Sequence, residues 1–301
     1  MSWRIINISK TCRLSINNRQ LVYEPKDDDK LEVPLDEIAV IVLDTKEVLI
    51  SGYCLSEFAS QGVALITTDS THIPNGIFLS QQQYYKNSDT AFLQKDMTEP
   101  LKKRLWQKII QQKIKNSSVV LNDKTLLNFV EQCQSGDPTN IEGQVAARYF
   151  ATFFENFKRH SETKINSALN YGYIIVRSCI ARSLTALGFV PSFGLHHCNK
   201  LNAFNLADDL LEPFRSFVDM QIKIMYKEDN LDTNLSKSEK QQILSLLVKE
   251  VSFNDKNYTI LDTTKLICDS LLQCLKDGDA KNFELPKFSK TINFGEKNEN
   301  I

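Results

Sequence analysis

The chain has 301 residues, enough for about two domains, with 42% apolar, 24% charged and 9% aromatic side chains. Its 36 basic and 37 acidic residues give a formal charge of -1, which argues against a simple polybasic nucleic-acid binder. The composition excludes disordered and fibrous classes. There is no stretch of eighteen uncharged apolar residues and no apolar h-region behind Met1, so neither a membrane span nor secretion is expected and the reading is a cytoplasmic protein.

The first eighty residues hold short β-branched and aliphatic runs at Trp3–Ile8, Ile38–Leu43, Val48–Ile50, Val63–Thr67 and Ile77–Leu79. These predict strands, with Asp27 to Asp29 in a charged turn and Asn75-Gly76 as a hairpin dipeptide. One short helix over 55–61, closed by Gly62, is predicted among them. After the polar stretch 81–89, apolar residues recur every three or four positions, which predicts helices over 99–115, 124–133, 139–160, 162–186, 204–227, 236–252 and 261–276. The expected class is α+β: a small β domain (1–85), a larger all-α domain (86–285) and a flexible tail (286–301).

Seven cysteines without a Cys-x-x-Cys pair suit buried thiols in a reducing compartment rather than a disulfide framework. Two of the four histidines are adjacent, in Gly194-Leu195-His196-His197-Cys198. Twelve and fifteen residues after His197 come Asp209 and Glu212, whose spacing of three places both carboxylates on one helix face. Pro213 implies a kink or the start of regular helix there. A further helix opens at Asp137-Pro138, read as N-cap and first turn, and carries Glu142 in line with the apolar stripe Val145, Tyr149 and Phe153. A carboxylate on such a stripe must be paired, protonated or metal-bound. Carboxylates with one imidazole suit Mg²⁺ or Mn²⁺ better than zinc, and three successive residues such as His196, His197 and Cys198 cannot readily converge on one tetrahedral ion. The chemistry commonly served is phosphodiester transfer. The bland alternatives stay open at this point: Glu142 as a first-turn helix carboxylate, the acidic run as a solvated face.

These residues resemble a known family, the CRISPR-associated spacer integrase, which is the universal adaptation nuclease, in its type II branch. The resemblance runs from Trp3-Arg4 through Pro34-Leu35-Asp36-Glu37-Ile38, Pro74-Asn75-Gly76 and Asn170-Tyr171-Gly172-Tyr173 to Asn205 through Arg215. It implies an N-terminal β domain joined to a helical domain, and a metal site of Glu142, His197 and Glu212. The family's Gly-x-x-His pattern selects His197 over His196, and Asp209 matches a second acidic position that assists. It further implies Mg²⁺ or Mn²⁺, joining of prespacer 3′-hydroxyls to the CRISPR repeat by transesterification, and double-stranded DNA as substrate. The implied assembly is a homodimer through the β domain, built into a heterohexamer with a small ferredoxin-like companion, with a type II effector nuclease as a further partner. A non-catalytic DNA-binding scaffold and a stand-alone branched-DNA repair nuclease are the alternatives.

Divided in thirds, the charge is uneven: residues 101–200 carry 14 basic and 6 acidic groups, a net +8 between flanks of -5 and -4. Lys102, Lys103, Arg104, Lys108, Arg148 and Arg177 of this basic centre are the candidate DNA-phosphate contacts.

Overall fold

The computed structural model describes residues 2–80, 87–155, 157–159, 161–226 and 232–288. Two four-stranded sheets form the N-terminal part. Strands β1 (Arg4–Ile8), β5 (Ile38–Leu43), β7 (Ala64–Thr68) and β8 (Pro74–Phe78) make one sheet in the order β1-β5-β7-β8, parallel except for β8. Strands β2 (Cys12–Asn17), β3 (Gln20–Pro25) and β4 (Leu31–Pro34) form an antiparallel meander with β6 (Val48–Ile50) parallel to β2. Helix α1 (Gly52–Gln61) is capped by the Ser51 hydroxyl and stopped by Gly62 in the left-handed region.

Strand β5 reads as an unbroken apolar run because both its faces are covered. Val40 and Val42 face the helices together with Ala64 and Ile66 of β7. Ile41 and Leu65 face the other way, against Leu14, Leu21 and Phe58. The sheet thus shares one core with the helical part, and the buried Lys240–Asp44 pair (2.8 Å) ties the two together.

The helices are α2 (Asn87–Lys95), α3 (Glu99–Leu121), α4 (Asn128–Gln132, entered from a 3₁₀ turn at Lys124–Leu127), α5 (Ile141–Phe153), α6 (Lys164–Ala186), α7 (Asn205–Met225), α8 (Lys237–Leu244) and α9 (Ile260–Asp277). Helix α7 packs against both α3 and α6. Its approach to α6 depends on Gly172, where a Cβ would lie 2.6 Å from Val218 Cγ1. On the α3 side, Asn116 donates to the carbonyl of Pro213 and Ser117 meets Ser216. Pro213 lies inside α7, which runs through it.

Several expectations need correction. Strands β2, β3 and β4 were absent from the predicted set, although β2 and β3 meet at a tight turn where Asn18 and Arg19 both have positive φ. Asn75-Gly76 lies within β8, and the turn before it is made by residues 69–73, with Asp69 Oδ1 accepting from the Thr71 and Ile73 amides. The expected helix 139–160 stops at Phe153, because Phe154 turns extended (φ -137°, ψ 157°). The helix expected over 236–252 ends at Leu244, passes through a 3₁₀ turn and gives way to a hairpin, β9 (Glu250–Phe253) with β10 (Lys256–Thr259). The expected tail begins in packed chain: Lys287 pairs with Ser252 and Phe288 packs on Phe217, while residues 289–301 lie outside the described residues. Among the described residues no helix is long and apolar enough to cross a membrane.

Candidate functional site

Glu142 sits in the first turn of α5. Asn140, in the left-handed region, is the N-cap and accepts from the Gly143 amide, so the cap is not Asp137 and the helix does not start at Pro138. Asp137 still serves this terminus from three residues upstream. Its two oxygens accept from the amides of Ile141 (2.8 Å) and Glu142 (2.9 Å), satisfying donors the helix cannot pair itself. The Glu142 backbone is thereby fixed while its side chain stays about one-third exposed.

Glu212 is buried in the middle of α7. Its Oε1 accepts from Arg215 Nε at 2.9 Å, one turn on, and its Oε2 accepts from Lys113 Nζ of α3 at 2.6 Å. The same Nζ lies 2.5 Å from Glu142 Oε1. One cation therefore joins carboxylates from two helices. Burial alone would push the Glu212 carboxyl up; Arg215 and Lys113 outweigh it and hold it down at about 2. Burial likewise opposes the Lys113 charge, but the two glutamates more than compensate and raise its pKa. The ammonium and the Glu212 carboxylate are therefore charged at neutral pH.

Asp209, wholly buried one turn before Glu212, collects the histidine loop. It accepts from the amides of Leu195 (2.5 Å), His196 (3.1 Å) and His197 (3.1 Å) and from His197 Nδ1 (2.6 Å). Gly194 permits this closure, since a Cβ there would lie 2.2 Å from the His197 carbonyl and 2.8 Å from Asp209 Oδ2. With Nδ1 committed to Asp209, the neutral imidazole offers Nε2 as its electron-pair donor, the arrangement by which carboxylates orient metal-binding histidines. The Asp209 bond, working against burial, raises the His197 pKa, and Glu212 is close enough to add to the effect. The His196 ring stacks on Trp106 of α3 at 4.2 Å between centroids, while His197 meets the same indole edge-on at 5.7 Å. Trp106 and Lys113, seven residues apart on one face of α3, thus sit beneath the histidine loop and the carboxylate pair respectively.

The donor set fits a hard divalent cation. Two carboxylates converge on a position that a positive charge already holds, and an oriented imidazole stands on the adjoining loop. With the lysine between them, Glu142, Glu212 and His197 do not form a ready-made cage: among the described residues no group of three or more His, Cys, Asp or Glu side chains is close enough to hold a metal. Lys113, expected with the other basic residues of the 101–200 stretch as a phosphate contact, is instead drawn between the two carboxylates, and Trp106, which the sequence reading does not single out, carries the histidine loop. Asp208 is drawn aside by Arg177 (2.7 Å) and Asn202 (2.6 Å).

The basic candidates divide. Lys103 and Arg104 are exposed on α3 and make no ion pair among the described residues. Lys102 pairs with Glu99, Lys108 reaches the Lys281 carbonyl, and Arg148 binds Asp123 and Thr125. Arg177 lines a cleft of about 300 Å³ with Arg159, Asn170, Tyr173, Asp208 and Arg215, which places basic groups against the partner of Glu212. Six of the seven cysteines are buried, as expected, and only Cys198 is exposed.

The family model of the CRISPR associated protein Cas1 matches residues 6–250. The chain is 36% identical over 295 residues to the CRISPR-associated endonuclease Cas1 of Neisseria meningitidis serogroup C (strain 8013), covering 95% of this chain and 97% of that one. Among solved structures, a casposase bound to integration product superposes with a TM-score of 0.75 at 18% identity, covering 99% of this chain and 96% of that one. A Cas6-RT-Cas1–Cas2 complex superposes at 0.72 and 16% identity, over 96% of this chain and 36% of that one. The sequence matches decide membership and the superpositions agree in fold: the chain belongs to the CRISPR-associated Cas1 family.

Proposed function

We propose that this protein is a metal-dependent DNA integrase and endonuclease of CRISPR adaptation, joining prespacer 3′-hydroxyl ends to the CRISPR repeat by direct transesterification. The observation that carries the reading is the convergence of Glu142 and Glu212, from two different helices, on one cation position beside an imidazole whose Nδ1 is tied down by Asp209. A structural salt bridge needs no such oriented histidine. Glu142, His197 and Glu212 would hold Mg²⁺ or Mn²⁺, which would supply Lewis-acid chemistry toward the scissile phosphate and the attacking hydroxyl.

The chain's own residues do the rest. Asp209 holds His197 in one ring orientation and uses its other bonds to keep the loop closed. Arg215 keeps Glu212 ionised and aimed. Lys103 and Arg104 offer exposed charge to the DNA backbone, and the cleft lined by Arg159, Arg177 and Arg215 offers a path for a strand entering beside Glu212. The relative in Neisseria supports a type II setting, and the Cas6-RT-Cas1–Cas2 complex supports a Cas2 partner; the ferredoxin-like companion, the heterohexamer of two homodimers and the effector nuclease rest on the family resemblance.

The test is strand joining. The purified chain with its companion, Mn²⁺, a prespacer and a supercoiled repeat plasmid yields half-site products, and Glu142→Ala and Glu212→Ala abolish them. Joining by either variant at the wild-type rate refutes the site. Hydrolysis without joining assigns the protein to branched-DNA repair instead, and tight prespacer binding without any metal-dependent product assigns it to a scaffold.

A further inference from the structure

Lys113 is a costly residue to place where it is. Its side chain is only 14% exposed, and a buried ammonium is tolerated only when paired. The pairing is with the inward oxygens of the two proposed metal-binding carboxylates, Glu142 Oε1 and Glu212 Oε2, at 2.5 and 2.6 Å. The remaining cation, Arg215, approaches Glu212 from the other oxygen, Oε1, and leaves Oε2 to Lys113 alone. A divalent cation taking Glu142 Oε1 and Glu212 Oε2 must therefore take them from the lysine, whereas it can coexist with the arginine. The four-carbon stem of lysine allows withdrawal, which the planar fork of an arginine in its place would hinder.

We infer that Lys113 is an internal competitor for the metal site: its ammonium holds Glu142 and Glu212 together and exchanges with the divalent cation, so that metal binds only above a threshold set by this residue. The competition has two consequences. The carboxylates stay converged instead of repelling each other, so the site is organised before metal arrives. The metal affinity is also lower than the same donors would give alone, because each charge-assisted bond of the lysine must be broken.

The inference rests on the metal reading above, and the experiment separates the two. Mn²⁺ is titrated into the full-length chain and free Mn²⁺ is followed by electron paramagnetic resonance, for wild type, Lys113→Met and Lys113→Gln. The dissociation constant is expected to fall roughly ten- to a hundredfold in both variants, since charge-assisted bonds to the carboxylates no longer oppose binding. On wild type alone, acylation of Lys113 read by mass spectrometry rises several-fold when Mn²⁺ is added, a measurement that needs no variant to fold. If Mn²⁺ binds wild type and variants alike, or Lys113 stays protected with Mn²⁺ bound, the competitor role is overturned and the metal reading stands. If Mn²⁺ binds none of the three, both fall.

Discussion

Replacing Asp209 by Asn changes one oxygen to an amide nitrogen and removes the charge. In the native protein the two carboxylate oxygens accept four bonds: three from the successive amides of residues 195–197, and one from His197 Nδ1. An asparagine can keep two of them on its carbonyl, and its NH₂ then points at the other two donors. Two bonds to a charged acceptor, at about 1.5–3 kcal/mol each, make the expected loss about 3–6 kcal/mol. For a protein of this size that corresponds to a fall in Tm of roughly 5–10 °C. With the carbonyl in the Oδ2 position, where it keeps the Leu195 and His196 amides, one of the two lost bonds is that to His197 Nδ1, which costs roughly 10- to 100-fold in metal affinity or activity. Thermal denaturation followed by circular dichroism gives the first number, and Mn²⁺-supported strand joining at a temperature where the variant remains folded gives the second. A variant that melts within about 2 °C of wild type and joins at the same rate refutes the argument that Asp209 builds and orients the histidine loop.

Glu212→Gln leaves the partly buried Lys113 and Arg215 facing a neutral amide; the expected cost is about 3–5 kcal/mol in urea unfolding, and strand joining is lost. The buried Asp219, whose oxygens accept from Tyr149 and Tyr173, is pushed by burial up to about 6 from an ordinary 3.8, so the folded state holds this proton more tightly than the unfolded one. Stability through this group is therefore greatest below about pH 4 and falls as pH rises to about 6, and Asp219→Asn flattens unfolding midpoints across that window. Glu212, held at about 2 against an ordinary 4.5, acts oppositely, its contribution being lost as pH falls below about 4.5. Lys103→Glu with Arg104→Glu weakens prespacer binding and lowers the slope of log affinity against log salt by about one for each phosphate no longer neutralised, measured by fluorescence anisotropy. An unchanged slope removes this face of α3 from the DNA path.

The long helices were legible because their apolar spacing is carried by packing on both sides: α6 and α7 came within two residues of their ends. Tight turns were not. Asn18-Arg19 and Asn254-Asp255 adopt positive φ at both positions without the glycine that marks such turns, so the meander strands and the β9–β10 hairpin were missed. The end of α5 is hidden because Phe154 and Phe157, beyond the helix, keep helical spacing with its last residue Phe153 and cluster on that ring. For the candidate site, Glu142, His197, Asp209 and Glu212 are proposed from rarity, spacing and the family resemblance. The division of labour among them could not, because it depends on contacts between helices. Asp209 is spent on backbone amides, and Lys113, twenty-nine residues from Glu142 and ninety-nine from Glu212, meets both only when α3, α5 and α7 pack together.

The most direct test of the central claim is anomalous diffraction at the manganese edge from crystals of the full-length chain soaked in Mn²⁺. A single strong peak bonded to Glu142, His197 and Glu212 is expected, with Lys113 displaced from the two carboxylates and Asp209 still bonded to His197 Nδ1. A peak elsewhere, or no peak with Lys113 still bridging Glu142 and Glu212, contradicts it.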